Sequence, residues 1–506
     1  MTRDRSDDRE AAAALAAGRP AFVWRRQIAD TDTPVSAALA LMEEGRGDFL
    51  LESVEGGQTR GRHSLIGLAP DLIFRANGNE AEINGRPAEG GTIAALRALV
   101  GQCRADVPPE LPRALACLVG YFGYETIGLI EKLPRPPANP IGLPDMLFVR
   151  PTLILIFDRL ADELFLIAPL WPGAGEPDAR VTDAWERIDA AASRLSSPVR
   201  FERSRETAAP GQALLDFARS ERSLIEPVLE ASAYKNMVLR AQDYILAGDI
   251  FQVVLAQRFT APFPLPPLDL YRALRRINPS PFLYFLDLPG FALIGSSPEI
   301  LVRARDGEVT IRPIAGTRPR GKTAAEDAEN RDSLLADPKE RAEHLMLLDL
   351  GRNDVGRVAE AGSVRVTDSY TVEFYSHVMH IVSNVVGRLP EGSDALDALF
   401  AGFPAGTVSG APKVRACEII AELEPETRGA YAGGVGYFSP DGSMDSCIVL
   451  RTAVVKDGTM HVQAGAGIVA DSDPAYEQRE CEAKAGALFA AAREAVRRAG
   501  EPGFGQ

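Results

Sequence analysis

Two pairs of glutamates in the last third of the chain have the spacing of a carboxylate site. Glu340 and Glu343 stand three residues apart, and so do Glu477 and Glu480. On a helix this spacing places both side chains on one face, and two such helices facing each other offer the oxygen ligands that Mg²⁺ accepts. With 70 acidic residues among 506, such pairs also occur on ordinary solvated surfaces. The spacing of the pairs alone is compatible with either a metal site or an ordinary surface helix.

The composition limits the class of protein and its partners. A hydrophobic fraction of 46% with 25% charged residues is typical of a globular protein with a substantial core. The net charge of −15 disfavours nucleic acid and anionic membranes as partners. The most apolar stretch, 151–172, contains four charged residues and predicts two strands joined by a turn, so nothing is expected to cross a bilayer. Five scattered cysteines without CxxC spacing favour reduced thiols and a cytoplasmic location.

Composition and hydrophobic patterning divide the chain into five parts, one of which contains both glutamate pairs. Residues 1–20, where acids precede a short alanine run, predict a flexible lead-in, disordered or helical, and no secretion signal. Residues 21–175 alternate short apolar runs with turn residues and predict a strand-rich region. Residues 176–228 predict connecting helices. In 229–495 an amphipathic helix, SAYKNMVLRAQDYILAG, precedes the strand IFQVVLAQRF, and 496–506 form a tail.

Glycine-rich segments and one histidine add candidates for ligand binding. PIAGTRPRG (313–321), FPAGTVSGAPK (403–413) and QAGAGIVADSDP (463–474) would let main-chain N–H groups approach an anion. None matches a dinucleotide-binding or Walker-type motif. His380 lies in a strand-like run and is a candidate acid or base near neutral pH, although a buried structural histidine is the common alternative.

Six motifs in order carry a family resemblance over at least residues 230–490. They are ERAEHLMLLDLGRND, SHVMHIVSNVVG, FPAGTVSGAPKVRA, RGAYAGGVGYFS, LRTAVV and AGAGIVADSDPAYEQRECEAK. Together they resemble the chorismate-utilising enzymes, which include anthranilate, aminodeoxychorismate, isochorismate and salicylate synthases. The resemblance implies an α/β fold of the α+β type, with two face-packed antiparallel β-sheets surrounded by helices. It makes 229–495 the chorismate-binding catalytic region.

Within the family the chain most resembles the large subunits of anthranilate synthases. Ala315 stands where aminodeoxychorismate synthases usually place a nucleophilic lysine, and Gln252 stands where isochorismate and salicylate synthases carry a water-activating lysine. Without either amine, ammonia is the expected nucleophile. The segment LLES at 50–53 resembles the tryptophan site of anthranilate synthases.

The resemblance implies a lyase that converts chorismate and ammonia to anthranilate and pyruvate, the first step of tryptophan biosynthesis. Chorismate carries two carboxylates, so an acidic pocket needs Mg²⁺ to bind its ring carboxylate. By similarity Glu343 and Glu480 are the metal ligands, with Glu340 and Glu477 beside them.

The resemblance also implies three further groups of residues. The catalytic group is His380, Glu299 and Thr407, and whether His380 or Glu299 is the acid stays open. The substrate contacts are Gly316, Thr317, Tyr431, Arg451, Gly465, Ala466, Gly467 and Lys484. The pocket for feedback inhibition by tryptophan, with plain core packing as the alternative, is Glu52, Ser53, Pro281, Phe282, Leu283, Val435 and Tyr437.

Ammonia normally comes from glutamine, and the enzyme that releases it is an expected partner. A glutamine amidotransferase needs an activated cysteine, and none of the five cysteines has a glycine-rich setting for one. We therefore expect a separate amidotransferase subunit, component II. The alternatives are an aminodeoxychorismate synthase that acts without its lysine and a non-catalytic tryptophan-binding subunit.

Overall fold

The computed structural model describes residues 5–55, 59–134, 138–196, 225–375 and 378–499. Its helices are α1 (Asp8–Ala16), α2 (Pro34–Leu41), α3 (Thr92–Gln102), α4 (Pro177–Ser196), α5 (Ala231–Leu246), α6 (Pro267–Ile277), α7 (Ala324–Ala336), α8 (Pro338–Gly356), α9 (Ala395–Gly402), α10 (Gly406–Ser409), α11 (Lys413–Leu423) and α12 (Pro474–Ala499), with a 3₁₀ turn at Tyr124–Leu129.

The strands of the N-terminal half are β1 (Ala21–Ile28), β2 (Asp48–Glu55), β3 (Thr59–Asn77), β4 (Glu80–Ile83), β5 (Arg86–Pro87), β6 (Leu118–Phe122), β7 (Met146–Asp158), β8 (Glu163–Leu170) and β9 (Glu226–Pro227). Those of the C-terminal half are β10 (Gln252–Pro262), β11 (Phe282–Leu288), β12 (Phe291–Ser297), β13 (Ile300–Arg305), β14 (Glu308–Ile311), β15 (Ile314–Pro319), β16 (Arg365–Phe374), β17 (Val378–Arg388), β18 (Gly410–Ala411), β19 (Gly434–Phe438), β20 (Met444–Ile448), β21 (Thr452–Lys456) and β22 (Thr459–Ile468).

These strands form one antiparallel network with two arms that share the long strands β3 and β7. The first arm runs from β1 and β8 through β7, β3, β2, β11, β12, β21 and β22 to β10. The second arm runs from β7 through β6, β19, β20, β13 and β14 to β17, which also pairs with β15 and β16. The register of β3 and β7 shifts between Pro70 and Leu72, where the arms diverge.

A hydrophobic core lies between the two arms. Phe49, Ile154 and Leu293 from the first arm share one buried cluster with Val119 and Val435 from the second. Antiparallel strands whose inner faces meet in this way form a layered core. The predicted fold, antiparallel sheets packed face to face with helices around them, is therefore confirmed.

Both acidic helices begin with an Asp-Pro pair, which places the glutamates in their first two turns. The Asp337 carboxylate caps α8 by accepting from the main-chain N–H of Lys339 at 2.9 Å, and Pro338 occupies the first helical position. Asp473 accepts from the N–H of Tyr476 at 2.7 Å at the start of α12. The short polar caps therefore fix where each glutamate pair starts.

Several local predictions can be compared with the structure. Strands β7 and β8 are joined by a turn within 151–172, and α5 leads into β10, as the sequence predicts. Residues 8–16 of the lead-in take its helical alternative as α1, which packs on α4, where Trp185 donates to Asp8 at 2.7 Å. Helix α12 continues past the predicted tail boundary at 496 to Ala499. In the connecting region, α4 is helical, and 197–224 lie outside the described residues.

No helix within the described ranges is both long and apolar enough to span a membrane.

Candidate active site

A large cleft opens beside β10 and β22, between the N-terminal turns of α8 and α12. It has a volume of about 1210 Å³. Both glutamate pairs line it, so the two acidic helical faces meet at one place. The cleft also gathers Thr407, Tyr431, Arg451, Gly465, Gly467 and Lys484, which the resemblance assigned to catalysis and substrate binding.

The carboxylates of the cleft have different partners. Arg318 Nη1 donates to Glu340 Oε1 at 2.8 Å, and Lys484 Nζ lies 2.7 Å from Glu480 Oε1. Glu343 remains open to the water of the cleft, but desolvation by the surrounding protein, and then the charge of Glu340, raises its pKa. Both effects disfavour the charged carboxylate, and a nearby cation would favour it.

The four glutamates have the donor chemistry of a divalent-cation site. Burial, and also the charge of Glu480, raises the pKa of Glu477, and a bound cation would relieve this repulsion. In the part of the chain that the structure describes, no three acidic, histidine or cysteine side chains lie close enough together to hold an ion as they stand. The donor set fits Mg²⁺, and the magnesium ligands stay a prediction.

Arg451 brings a guanidinium group to the same cleft. Its backbone has φ +48°, and its carbonyl oxygen accepts from the N–H of Ser296 at 3.2 Å, which ties the start of β21 to β12. Burial lowers the pKa of Arg451, although arginine stays charged at neutral pH. A partly buried guanidinium that faces a cleft is suited to bind a ligand carboxylate through two parallel hydrogen bonds.

Tyr431 and two glycines of β22 form the adjacent wall. Burial raises the pKa of Tyr431, so its phenol stays protonated and can donate. A Cβ at Gly465 would lie 2.8 Å from the Tyr431 hydroxyl, and one at Gly467 would lie 2.4 Å from Gln252 Nε2. Neighbouring side chains therefore occupy the space that any larger residue would need. Lys484 Nζ donates to the Gly465 carbonyl at 2.9 Å and fixes this strand to α12.

Five of the residues assigned to catalysis and substrate binding do not line the cleft itself: Glu299, Gly316, Thr317, His380 and Ala466. Ala466 is fully buried in the core, so its side chain points away from the ligand space. The other four lie at two places at the edge of the cleft.

At the first place, His380, Gly316 and Thr317 form a cluster. His380 Nδ1 lies 3.0 Å from the Gly316 carbonyl oxygen and 3.1 Å from Thr317 Oγ1. Because a carbonyl oxygen only accepts, Nδ1 carries the proton and Nε2 keeps its lone pair. Burial lowers the pKa of His380, which keeps the ring neutral at neutral pH. A Cβ at Gly316 would lie 3.1 Å from Glu340 Oε2, so this cluster borders the acidic side of the cleft.

Glu299 lies behind Thr407 in a small cavity of about 30 Å³ that adjoins the cleft, and Thr407 lines both spaces. Burial raises the pKa of Glu299 to about 8, against a lowering effect of the nearby Thr407 hydroxyl. Among the described residues the Thr407 hydroxyl has no hydrogen-bond partner of regular geometry. Because its pKa is about 8, Glu299 is mostly protonated at neutral pH and can serve as a proton donor.

A second cavity, of about 600 Å³, is lined by all seven residues of the expected tryptophan pocket: Glu52, Ser53, Pro281, Phe282, Leu283, Val435 and Tyr437. The Glu52 carboxylate accepts from the Tyr271 hydroxyl at 2.6 Å and from Arg275 Nε at 2.8 Å. Burial alone would raise the pKa of Glu52, but these partners and Arg159 lower it. The cavity shows that these residues leave space for a ligand, and its occupant stays a prediction.

Pro298 belongs to both cavities and Tyr375 links the second cavity to His380, and the sequence motifs singled out neither residue. Pro298 lines the cleft and the second cavity. Tyr375 lines the second cavity, and its ring centroid lies 5.4 Å from that of His380. The antiparallel pairing of β16 with β17 brings this part of the chain beside His380, a contact that no local sequence pattern specifies.

Comparison with known proteins agrees with this geometry. The family model of the chorismate binding enzymes matches residues 47–490. Anthranilate synthase component 1 of Cereibacter sphaeroides is 51% identical over 498 residues, which cover 96% of this chain and 97% of that protein. The same component of Thermus thermophilus is 47% identical over 466 residues, covering 92% and 96%.

Two solved structures resemble the fold. Anthranilate synthase component I of Streptococcus pneumoniae superposes with a TM-score of 0.74 at 36% identity, over 92% of this chain and 99% of that one. The menaquinone-specific isochorismate synthase of Escherichia coli has a TM-score of 0.69 at 20% identity, over 96% and 99%, and supports the fold alone.

The chain belongs to the chorismate binding enzyme family. Within the family, the resemblance to the anthranilate synthase large subunits is also confirmed, because relatives of that kind match nearly the whole chain at 45–51% identity.

Proposed function

We propose that this protein is the large subunit of an anthranilate synthase, a lyase that converts chorismate and ammonia to anthranilate, pyruvate and water. The observation that carries the proposal is the cleft in which Arg451 and Tyr431 face two acidic helices, in a chain whose relatives are anthranilate synthase components. A substrate with two carboxylates needs both a guanidinium and a cation-bearing acidic site.

The substrate is bound from two sides. Arg451 and the Tyr431 phenol donate to the carboxylate of the enolpyruvyl arm, next to the main chain of Gly465. Glu343 and Glu480 would hold Mg²⁺, with Glu340 and Glu477 beside them, and the bound ion would neutralise the ring carboxylate. The two carboxylates together fix the orientation of the ring.

Two groups move protons. Glu299, protonated because burial raises its pKa to about 8, donates to the departing ring hydroxyl past Thr407. His380, whose Nε2 keeps its lone pair, accepts the ring proton as pyruvate leaves and the ring becomes aromatic. Both groups are neutral at pH 7, but Glu299 carries a proton that it can donate, whereas His380 has a lone pair that can accept one.

Ammonia is the proposed nucleophile, and a separate amidotransferase subunit is its proposed source. Ala315 is buried in β15 and Gln252 lines the cleft, so neither position offers an amine. All five cysteines are free and buried, which is unsuited to an accessible glutaminase thiol. Reduced thiols also support the expectation of a cytoplasmic location.

Tryptophan is the proposed inhibitor, bound in the second cavity. Pro281, Phe282 and Tyr437 offer flat surfaces for an indole ring, and Ser53 offers a hydroxyl for an amino-acid head group. Because Pro298 belongs to both cavities, occupancy of one can alter the shape of the other.

Product analysis tests the reaction. The purified chain is incubated with chorismate, Mg²⁺ and ammonium, then with glutamine in place of ammonium, and the products are separated by chromatography. We expect anthranilate and pyruvate with ammonium and neither with glutamine. Aminodeoxychorismate or isochorismate would assign the chain to another branch of the family, and the absence of any product would indicate a non-catalytic subunit.

A further inference from the structure

A buried ion pair lies behind the wall of the cleft. Arg428 and Glu424 are 3% and 4% exposed, and neither lines the cleft. Arg428 Nε donates to Glu424 Oε2 at 2.9 Å, and Nη2 donates to Oε1 at 2.5 Å. Breaking such a pair leaves an uncompensated buried charge, whereas replacing both partners by apolar residues is often neutral for stability.

The remaining donors of Arg428 hold the main chain of the cleft wall. Nη1 donates to the Val408 carbonyl at 2.7 Å, and Nη2 donates to the Val254 carbonyl at 2.6 Å. Glu424 Oε1 accepts from the N–H of Ala256 at 2.8 Å. Val254 and Val408 both line the cleft, so the pair joins β10 to α10 next to Thr407.

The guanidinium plane also supports the substrate side of the cleft. The Arg428 Cζ atom lies 4.7 Å from the ring centroid of Tyr124 and 5.6 Å from that of Tyr431. Such cation–π contacts fix the ring of Tyr431, whose hydroxyl packs against Gly465. One side chain therefore contacts three parts of the cleft wall without touching the ligand space.

We propose that Arg428, held by Glu424, is a positioning residue that fixes Tyr431 and the Thr407 segment against bound chorismate. The role rests on the proposed chorismate reaction. It needs an arginine, because a lysine ammonium lacks the planar fork that spans a carboxylate and two carbonyl oxygens at once. A displacement of about 1 Å in such a wall can cost about a hundredfold in rate.

The test compares Arg428→Lys with a matched control, Arg258→Lys. Arg258 forms a similar bidentate pair with Glu426, with Nε and Nη2 each 2.9 Å from the carboxylate, but does not line the cleft or contact its carbonyls. We expect Arg428→Lys to lower kcat/KM for chorismate at least about tenfold, with the KM for ammonium unchanged. Arg258→Lys should stay within about threefold of wild type.

A double variant separates positioning from folding. Arg428→Met with Glu424→Leu removes both buried charges together but leaves the Val254 and Val408 carbonyls and the Ala256 N–H without these partners, so its melting temperature should fall by less than that of Glu424→Leu alone. It should still show the loss in kcat/KM for chorismate. Wild-type kinetics in the double variant, or in Arg428→Lys, would overturn the positioning role alone. A wild-type chain that leaves chorismate unchanged would overturn the proposed function and this role with it.

Discussion

The ring of Tyr375 stands edge-on to the imidazole of His380, with ring centroids 5.4 Å apart and planes at 66°. The Tyr375 hydroxyl donates to Glu373 Oε2 at 2.9 Å, and Glu373 forms an ion pair with Arg312. Glu373 and Arg312 both line the second cavity. Contiguous contacts therefore lead from the proposed tryptophan pocket to the proposed catalytic base. A test of such a path must measure whether tryptophan binding and catalysis are coupled through it.

Removing the Tyr375 hydroxyl should weaken inhibition more than catalysis. Tyr375→Phe keeps the ring against His380 and breaks only the bond to Glu373. We expect the tryptophan concentration for half-inhibition to rise at least about fivefold, while kcat without tryptophan stays within about threefold. Tyr476→Phe, at an exposed tyrosine of the cleft rim, is the control. Unchanged inhibition in Tyr375→Phe would show that this contact carries no coupling.

Glu299→Gln should remove a pH dependence that the wild type shows. The pKa of Glu299 is about 8, so its acid form is present below that pH and is lost as the pH rises through it. At constant free ammonia the wild-type rate should fall over this range, whereas the variant should be flat and about 10² to 10⁴ times slower.

The control for Glu299 is Asp287→Asn. Asp287 is a buried carboxyl outside the cleft whose pKa burial raises to about 7. Its variant should keep the wild-type pH profile. If Glu299→Gln also keeps that profile, Glu299 is not the acid.

Arg451→Lys should raise the KM for chorismate at least about tenfold, because lysine keeps the charge and loses the bidentate fork. Arg479→Lys is the control, since Arg479 is an exposed arginine on the rim of the same cleft. Steady-state kinetics with varied chorismate measure the effect, and thermal melting checks the fold. An unchanged KM in Arg451→Lys would place the substrate carboxylate elsewhere.

Glu343→Gln and Glu480→Gln should each weaken Mg²⁺ binding at least about tenfold, because the ion prefers charged oxygen ligands. Calorimetric titration of Mg²⁺ in the presence of chorismate measures this without turnover. Glu482→Gln, on the same helix as Glu480 but outside the cleft, should bind Mg²⁺ as the wild type does. Wild-type affinity in both cleft variants would reject these ligands.

Local signals predicted much of the fold. The charged turn between β7 and β8 breaks one apolar run into two strands, and the amphipathic helix α5 leads into β10. The pairing of β12 with β21, and of β6 with β19, joins segments far apart in sequence, which no local pattern specifies. The sequence left the lead-in open between disorder and helix, because the burial of the apolar face of α1 depends on α4, which lies far along the chain.

The glutamate pairs and Arg451 were singled out because the motifs that contain them are recognisable in sequence, and the structure places them on one cleft. Tyr375, Pro298 and Arg428 were not singled out, since each acts through neighbours that only the folded sheet assembles. The burial that raises the pKa of Glu299 is likewise a property of the assembled core.

The proposed reaction joins free ammonia to the chorismate ring in the cleft. The most direct measurement gives the purified chain chorismate, Mg²⁺, isotopically labelled ammonium and unlabelled glutamine together, and determines the nitrogen isotope of the anthranilate by mass spectrometry. We expect anthranilate that carries only the label of the ammonium. Unlabelled nitrogen in the product would show that the chain draws on glutamine by itself, and a labelled product other than anthranilate would contradict the assigned reaction.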